Sequence, residues 1–301
     1  MQTEWIKMTD DTELFVRVWP VEKPKAVVQL AHGMAEHSLR YDRFAQKLNQ
    51  SGFAVIASDH RGHGETGRRA SNLGDFPHRQ GWNRAVEDLS AVRSHFEGCW
   101  NQSKFFLIGH SMGSFLSRSL IAREGDRYSG VILSGTAGSP GFLGAIGKGL
   151  ADLQMPWAAG RQNPLMDRLS FGTYNRAFQP NRTDFDWLSR DHTEVDAYIE
   201  DPLCGFICTT RFYRELIGGL ISVNEMASIN QIPKDLPICL MAGSQDPVGD
   251  FGKGVQQVAE RYRAADLSVT MELYPEARHE ILNEINRDEV MDAMIGWMNH
   301  G

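Results

Sequence analysis

Phe105-Phe106-Leu107-Ile108-Gly109-His110-Ser111-Met112-Gly113 passes from an apolar run into a G-x-S-x-G pentapeptide, and a helical pattern follows over Met112–Arg123. Strand, sharp turn, then helix is the setting of a nucleophile elbow, where a strained serine lifts its Oγ above the sheet. Glycine two residues to either side removes Cβ atoms that would collide at such a turn. The pentapeptide alone carries little weight. Its strand-to-helix context makes Ser111 the candidate nucleophile.

Working outward, the short apolar runs Ala26–Ala31, Phe53–Ala57, Phe105–Ile108, Val131–Ser134, Pro237–Ala242 and Ser268–Tyr274 read as strands. They alternate with 3.6-residue periodicity at Arg40–Gln50, Trp82–Glu97, Met112–Arg123, Phe251–Arg263 and Ile281–Asn299. That alternation predicts an α/β fold with a mostly parallel sheet covered by helices on both faces. Leu14–Trp19 precedes it and reads as an antiparallel N-terminal edge strand. Between Gly138 and Leu236 the alternation stops for a stretch too long to be a loop. Helical patterns occur inside it, at Phe142, Ile146, Leu150 and Leu153 and again across Phe206–Ile221. The expected organisation is a core of residues 1–138 and 237–301 interrupted by a helical cap, 139–236, over the carboxyl ends of the strands. Gly141-Phe142-Leu143-Gly144-Ala145-Ile146-Gly147 lacks a strand-to-helix setting and reads as backbone flexibility in that cap.

A serine hydroxyl is a weak nucleophile at neutral pH, so it needs a base and a group to orient the base, in the chain order Ser, acid, His. Asp246 lies in Ala242-Gly243-Ser244-Gln245-Asp246-Pro247-Val248, just past a strand. Asp250 is its local competitor; Asp246 is nearer the strand end that would hold it. His279 follows the last strand and the loop Pro275-Glu276-Ala277-Arg278, which makes it the expected base. Backbone N–H groups must also receive the tetrahedral oxyanion. Met112, directly after the serine, supplies one, and Met34 in His32-Gly33-Met34-Ala35 supplies the other, with His32 as a structural hydrogen-bonder.

Composition narrows the partners. With 31 Lys+Arg against 38 Asp+Glu, the net charge of −7 argues against a nucleic-acid partner and against electrostatic docking on anionic membranes. Hydrophobic residues at 42% and charged residues at 23% describe a folded chain. Neither a secretory leader nor an apolar run of about 18 residues is evident, which points to the cytoplasm. Cys99, Cys204, Cys208 and Cys239 read as free thiols. Cys204 and Cys208 share a helix spacing but have no partner pair at zinc-site distance, so no metal is expected. No cofactor is expected either, because Gly62-His63-Gly64 lacks dinucleotide-loop spacing and there is no Walker lysine.

Taken together, His32-Gly33-Met34-Ala35-Glu36-His37-Ser38-Leu39-Arg40-Tyr41, Asp59-His60-Arg61-Gly62-His63-Gly64, the Ser111 elbow and the Asp246/His279 pair resemble the monoacylglycerol lipase and lysophospholipase-like (serine aminopeptidase S33-type) branch of the α/β-hydrolases. The cap segment Asp201-Pro202-Leu203 also looks like one in monoglyceride lipases. The resemblance implies Ser111, Asp246 and His279 as a triad, with the Met34 and Met112 amides as the oxyanion hole. It also sets Glu36 and Arg40 near the polar head of a bound monoglyceride; a mutual ion pair organising the loop is the competing reading. Two positions depart from the pattern. Ser114 stands where many relatives have glycine, and Leu282 replaces a polar residue near the leaving group.

The leading expectation is a cofactor-free serine esterase that takes monoacylglycerols or related small acyl esters, and water, through an acyl-Ser111 intermediate. A lysophospholipase, thioesterase or aminopeptidase-like hydrolase on the same scaffold is the alternative within enzymes. From another class, the alternative is a non-catalytic small-molecule receptor with a hydrolase fold. The apolar residues Phe142, Leu143, Ile146, Leu150, Leu153, Met155 and Trp157 could line an acyl channel, touch a lipid surface transiently, or pack as an ordinary buried helix face. Oligomeric state is not legible.

Overall fold

The structure is a computed structural model that describes residues 1–76, 80–100 and 103–300. Among the described residues eight strands form one sheet: β1 (Gln2–Lys7), β2 (Glu13–Trp19), β3 (Ala26–Ala31), β4 (Phe53–Ser58), β5 (Lys104–His110), β6 (Gly130–Ser134), β7 (Ile238–Gly243) and β8 (Val269–Tyr274). They lie in the order β1-β2-β4-β3-β5-β6-β7-β8. The β1/β2 and β2/β4 pairs are antiparallel and every other pair is parallel. This is the α/β-hydrolase arrangement that the sequence suggests, with one correction at the edge. Leu14–Trp19 is antiparallel as expected, but β1 lies outside it, pairing from Gln2↔Val18 to Lys7↔Glu13. β1 exposes much of its length and carries little continuous apolar signal, which is why its residues do not announce a strand.

The central strands are buried along their whole length. Alternate side chains feed two separate cores, as the period of two in a strand demands. Val27, Ile56, Leu107 and Leu133 join one core with the helices Gly81–Glu97, Met112–Glu124 and Lys253–Ala264. Val28, Val55, Phe106 and Ile132 join the other with Asp42–Gln50 and Arg287–His300. The last helix starts later than the periodicity of Ile281–Asn299 predicts. Ile281–Asn283 is a single tight turn, and Glu284 is extended with ψ 167 because its carboxylate accepts the backbone N–H groups of Arg190, Arg278 and Ile285.

Between β6 and β7 the chain forms the helices Gly141–Ala158, Pro164–Phe171, His192–Glu200, Thr210–Val223 and Met226–Ile229. The glycine-rich stretch read as flexible backbone is therefore helical, within Gly141–Ala158. Arg118, on the helix that follows Ser111, is buried beneath this interval. It donates to the Ala137 carbonyl (2.9 Å) at its start and to the Val223 carbonyl (3.1 Å) and Asn224 Oδ1 (2.8 Å) near its end.

Candidate active site

In-register pairing brings the carboxyl ends of the parallel strands to one rim, with Ala31 opposite Gly109, His110 opposite Ser134 and Gly243 opposite Tyr274. Ser111 stands at this rim between β5 and its helix with φ 51 and ψ −121, a conformation that L-residues rarely adopt. Its neighbours hold it there. The Ser111 N–H donates to the Ser134 carbonyl (2.9 Å), and its own carbonyl accepts from the Ser114 N–H (2.8 Å) and the Ser114 hydroxyl (2.6 Å). Serine at 114 thus adds a bond that glycine lacks. Gly113 permits the close approach, since a Cβ on it would overlap the Ala31 carbonyl at the end of β3.

Asp246 is fully buried. One carboxylate oxygen accepts the Val248 N–H (2.9 Å) and the other lies 2.9 Å from His279 Nδ1. Asp250, the competitor, is exposed. Burial of the His279 ring works to lower its pKa. The charge and hydrogen bond of Asp246, with the fields of Glu280 and Glu36, outweigh that, and the net effect is a pKa raised above the ordinary 6.5. His110, whose ring centroid is 4.7 Å from that of His279, goes the other way. Burial, then the His279 charge, brings it down to about 4, so it is neutral at physiological pH.

The loop after β3 presents Met34. His32 Nε2 accepts the His60 N–H (2.9 Å), so its proton sits on Nδ1 and is donated to the Gly33 carbonyl (2.8 Å). That carbonyl and the Met34 N–H belong to one trans peptide and point in opposite directions, so anchoring the oxygen aims the N–H. Among the described residues neither the Met34 nor the Met112 N–H has a hydrogen-bond acceptor. Both are free to donate to a ligand.

Glu36 and Arg40 come together as an ion pair. Glu36 is buried; it accepts the Gly33 N–H (2.5 Å), the Tyr41 hydroxyl (2.8 Å) and Arg40 Nη1 (2.8 Å). Arg40 also forks onto Glu280 at 2.5 and 2.7 Å. Glu36 and Glu280 line the cavity beside Ser111, whereas Arg40 stands behind them with Nη1 and Nη2 engaged by the two carboxylates, so a direct contact between Arg40 and substrate is not what this geometry offers. Sequence reasoning missed Glu280, although its position directly after His279 was a signal.

The cavity has a volume of about 640 Å³ and is lined by Ser111, His279, Met34 and Glu36 on the sheet side and by Phe171, Trp187, Phe206 and Ile207 from the interval between β6 and β7. The Trp187 ring lies 5.2 Å from that of His279, and the Leu188 carbonyl accepts the Glu280 N–H at 2.8 Å. His37, Asp201 and Cys204 set three potential metal-ligand atoms within 4.8 Å of one another. Their bonds read as a latch: Asp201 is bound by His37 Nε2 (2.8 Å) and the Leu203 N–H (2.8 Å), and burial pushes the Cys204 thiol up, keeping it protonated.

Residues 22–286 match the family described as Serine aminopeptidase, S33. The monoglyceride lipase of Rattus norvegicus is 30% identical over 296 residues, covering 97% of this chain and 88% of that protein. The monoacylglycerol lipase of Mycolicibacterium smegmatis is 29% identical, covering 93% and 91%. A thermostable carboxyl esterase from Bacillus coagulans, solved in complex with glycerol, superposes with a TM-score of 0.93 at 29% identity over 99% of this chain and 98% of that one. With the family match spanning most of the chain and the serine elbow at the sheet rim, this protein belongs to the serine aminopeptidase S33 family of α/β-hydrolases.

Proposed function

We propose that the protein hydrolyses monoacylglycerols or related acyl esters by way of an acyl-Ser111 intermediate, with Asp246 and His279 completing a triad and the Met34 and Met112 amides binding the oxyanion. It is a carboxylic ester hydrolase whose substrates are a small acyl ester and water. One observation carries the reading: a serine held at φ 51 opens on the same cavity as a histidine whose Nδ1 is 2.9 Å from a buried aspartate. Asp246 fixes the His279 tautomer with Nδ1 protonated, leaving Nε2 to take the Ser111 proton and return it to the leaving alcohol. The relatives named as monoglyceride lipases, and the esterase solved with glycerol, favour a glyceryl ester.

Residues 139–236 act as the cap of this site, and Phe171, Trp187, Phe206 and Ile207 give the acyl chain an apolar wall. On the outer side of the cap, Phe142, Leu143, Leu153 and Trp157 are 61–80% exposed, which suits transient contact with a lipid surface. None of the described helices is long and apolar enough to cross a membrane. All four cysteines are free, as suits a reducing cytoplasm.

The deciding experiment compares wild type with Ser111→Ala on monoacylglycerols, lysophospholipids, 4-nitrophenyl esters, acyl thioesters and aminoacyl arylamides. Monoacylglycerol turnover with a fluorophosphonate label on Ser111 is expected, and Ser111→Ala should lose turnover by at least about 10³-fold. Unchanged turnover in that variant sinks the mechanism. Tight ligand binding without turnover in wild type points instead to a receptor.

A further inference from the structure

Ala35, in the loop that carries the Met34 N–H, has φ 52, a left-handed conformation that alanine adopts only under constraint. The constraint comes from the cap. The Ala35 carbonyl accepts the Tyr198 hydroxyl at 2.9 Å and the Gly205 N–H at 3.0 Å, so both lone pairs are taken by one short cap segment. Two more contacts join the same pieces. His37 Nε2 lies 2.8 Å from Asp201, and the Arg40 guanidinium sits 4.8 Å from the Tyr198 ring centroid while paired with Glu36.

We infer that Tyr198 is a positioning residue for the oxyanion hole: by holding the Ala35 carbonyl, the docked cap keeps residue 35 left-handed and the Gly33–Met34 peptide aimed at the reacting carbonyl. The inference rests on the ester-hydrolase reading above. Its geometric logic is short. Residue 35 separates the donor peptide from Glu36, and Glu36 in turn holds the Gly33 N–H at 2.5 Å. If Ala35 relaxed to the right-handed basin, Glu36 would swing away from Gly33 and the Met34 N–H would lose its aim. The cap therefore does more than cover the substrate. It completes the oxyanion hole when docked and loosens it when raised.

The test is a double-mutant cycle on a soluble 4-nitrophenyl ester, with Tyr198→Phe made in the native Ala35 background and in an Ala35→Gly background. Removing an oxyanion donor outright typically costs 10²–10³ in kcat, so loosening one should cost about tenfold in kcat with KM within about twofold. Binding of an alkyl trifluoromethyl ketone, which forms a tetrahedral adduct with serine, should weaken in parallel. Glycine occupies the left-handed region without help, so in the Ala35→Gly background the Tyr198→Phe loss should shrink to about threefold or less. Asp201→Asn, which weakens the His37 tether, should give a smaller kcat loss of the same kind, and it serves as the independent test if the melting temperature shows that Tyr198→Phe is misfolded. A kcat for Tyr198→Phe within twofold of wild type overturns the inference, as does a rise in KM alone or an equal loss in both backgrounds. Wild type without esterase turnover overturns the functional reading itself, whereas an active wild type with an unaffected Tyr198→Phe overturns only the positioning role.

Discussion

The floor of the cavity and the cap proposed to roof it use the same residue type to opposite ends. In the floor, a Cβ on Gly113 would overlap the Ala31 carbonyl and one on Gly109 would overlap Ser117 Oγ; the elbow exists only because these positions are bare. In the roof, Gly141 and Gly149 of the helix Gly141–Ala158 have nothing within 4 Å of the place a Cβ would occupy. Glu36, Asp246 and His279 in the floor are buried and bonded, while Phe142 and Leu143 at the start of the roof helix are 79% and 80% exposed. One region is over-determined and holds reacting groups to fractions of an ångström; the helix Gly141–Ala158 buries only Ala151 and leaves most of its length in solvent.

The floor's chemistry offers the largest expected effect. Asp246→Asn keeps the shape of the residue but removes the charge that sets the His279 tautomer, and the equivalent change in a serine protease triad costs about 10⁴ in kcat. A loss of that order, with fold intact by circular dichroism, is expected in ester turnover. A loss below about tenfold would mean that the floor does not work through this pair. Gly113→Ala comes next. Its Cβ must push the β3 end away from the elbow, and a drop of at least about a hundredfold in kcat with a lower melting temperature is expected, in line with the cost of overpacking and of a lost oxyanion donor. If Gly113→Ala kept full activity, the contrast between floor and roof would fail.

A smaller effect lies in the pH profile. The proposed base must be neutral to accept a proton, and its pKa is raised, so kcat/KM should fall with acid through a midpoint above 6.5. His110, already neutral above about 4, adds nothing in that range. Glu280→Gln removes one of the negative fields that raise His279 and leaves Arg40 paired with Glu36, so the acid midpoint should move down by less than about one pH unit. An unmoved midpoint would assign the raise to Asp246 and Glu36.

The same contrast explains what was legible in the sequence. Floor residues sit in motifs because their backbone geometry tolerates so few alternatives: G-x-S-x-G after an apolar run, and Asp246 and His279 each just past a strand, are readable one at a time. Glu280 and Tyr198 were not. Their meaning depends on Arg40 and Ala35, which are 240 and 163 residues away in sequence, and no local period encodes such a partner. Arg118 was hidden for a related reason. A cation in the helix after the elbow reads as surface, yet it is buried and joined to both ends of the interval between β6 and β7. The edge strand β1 was missed because exposed strands carry weak patterns, and Glu284 shortened the last helix through backbone bonds that periodicity does not report.

The roof makes the mildest prediction, and the one that most directly opposes Gly113→Ala. Gly149 is exposed in the interior of Gly141–Ala158, where glycine is worth about 0.8–1.0 kcal/mol less than alanine in helix stability. Gly149→Ala should therefore stabilise that helix, raise the melting temperature by no more than about 3 °C, and leave turnover of a soluble 4-nitrophenyl ester within about twofold. Hydrogen exchange measured on the helix should slow even if the global transition hardly moves, because local opening is what glycine favours. A soluble ester does not require the roof to meet a lipid surface. If stiffening the helix slows turnover of monoacylglycerol dispersed in vesicles while the soluble ester is unaffected, the roof's light packing serves entry from an interface. If both substrates slow together, the helix must bend in every catalytic cycle, and the glycines are as necessary there as Gly113 is in the floor.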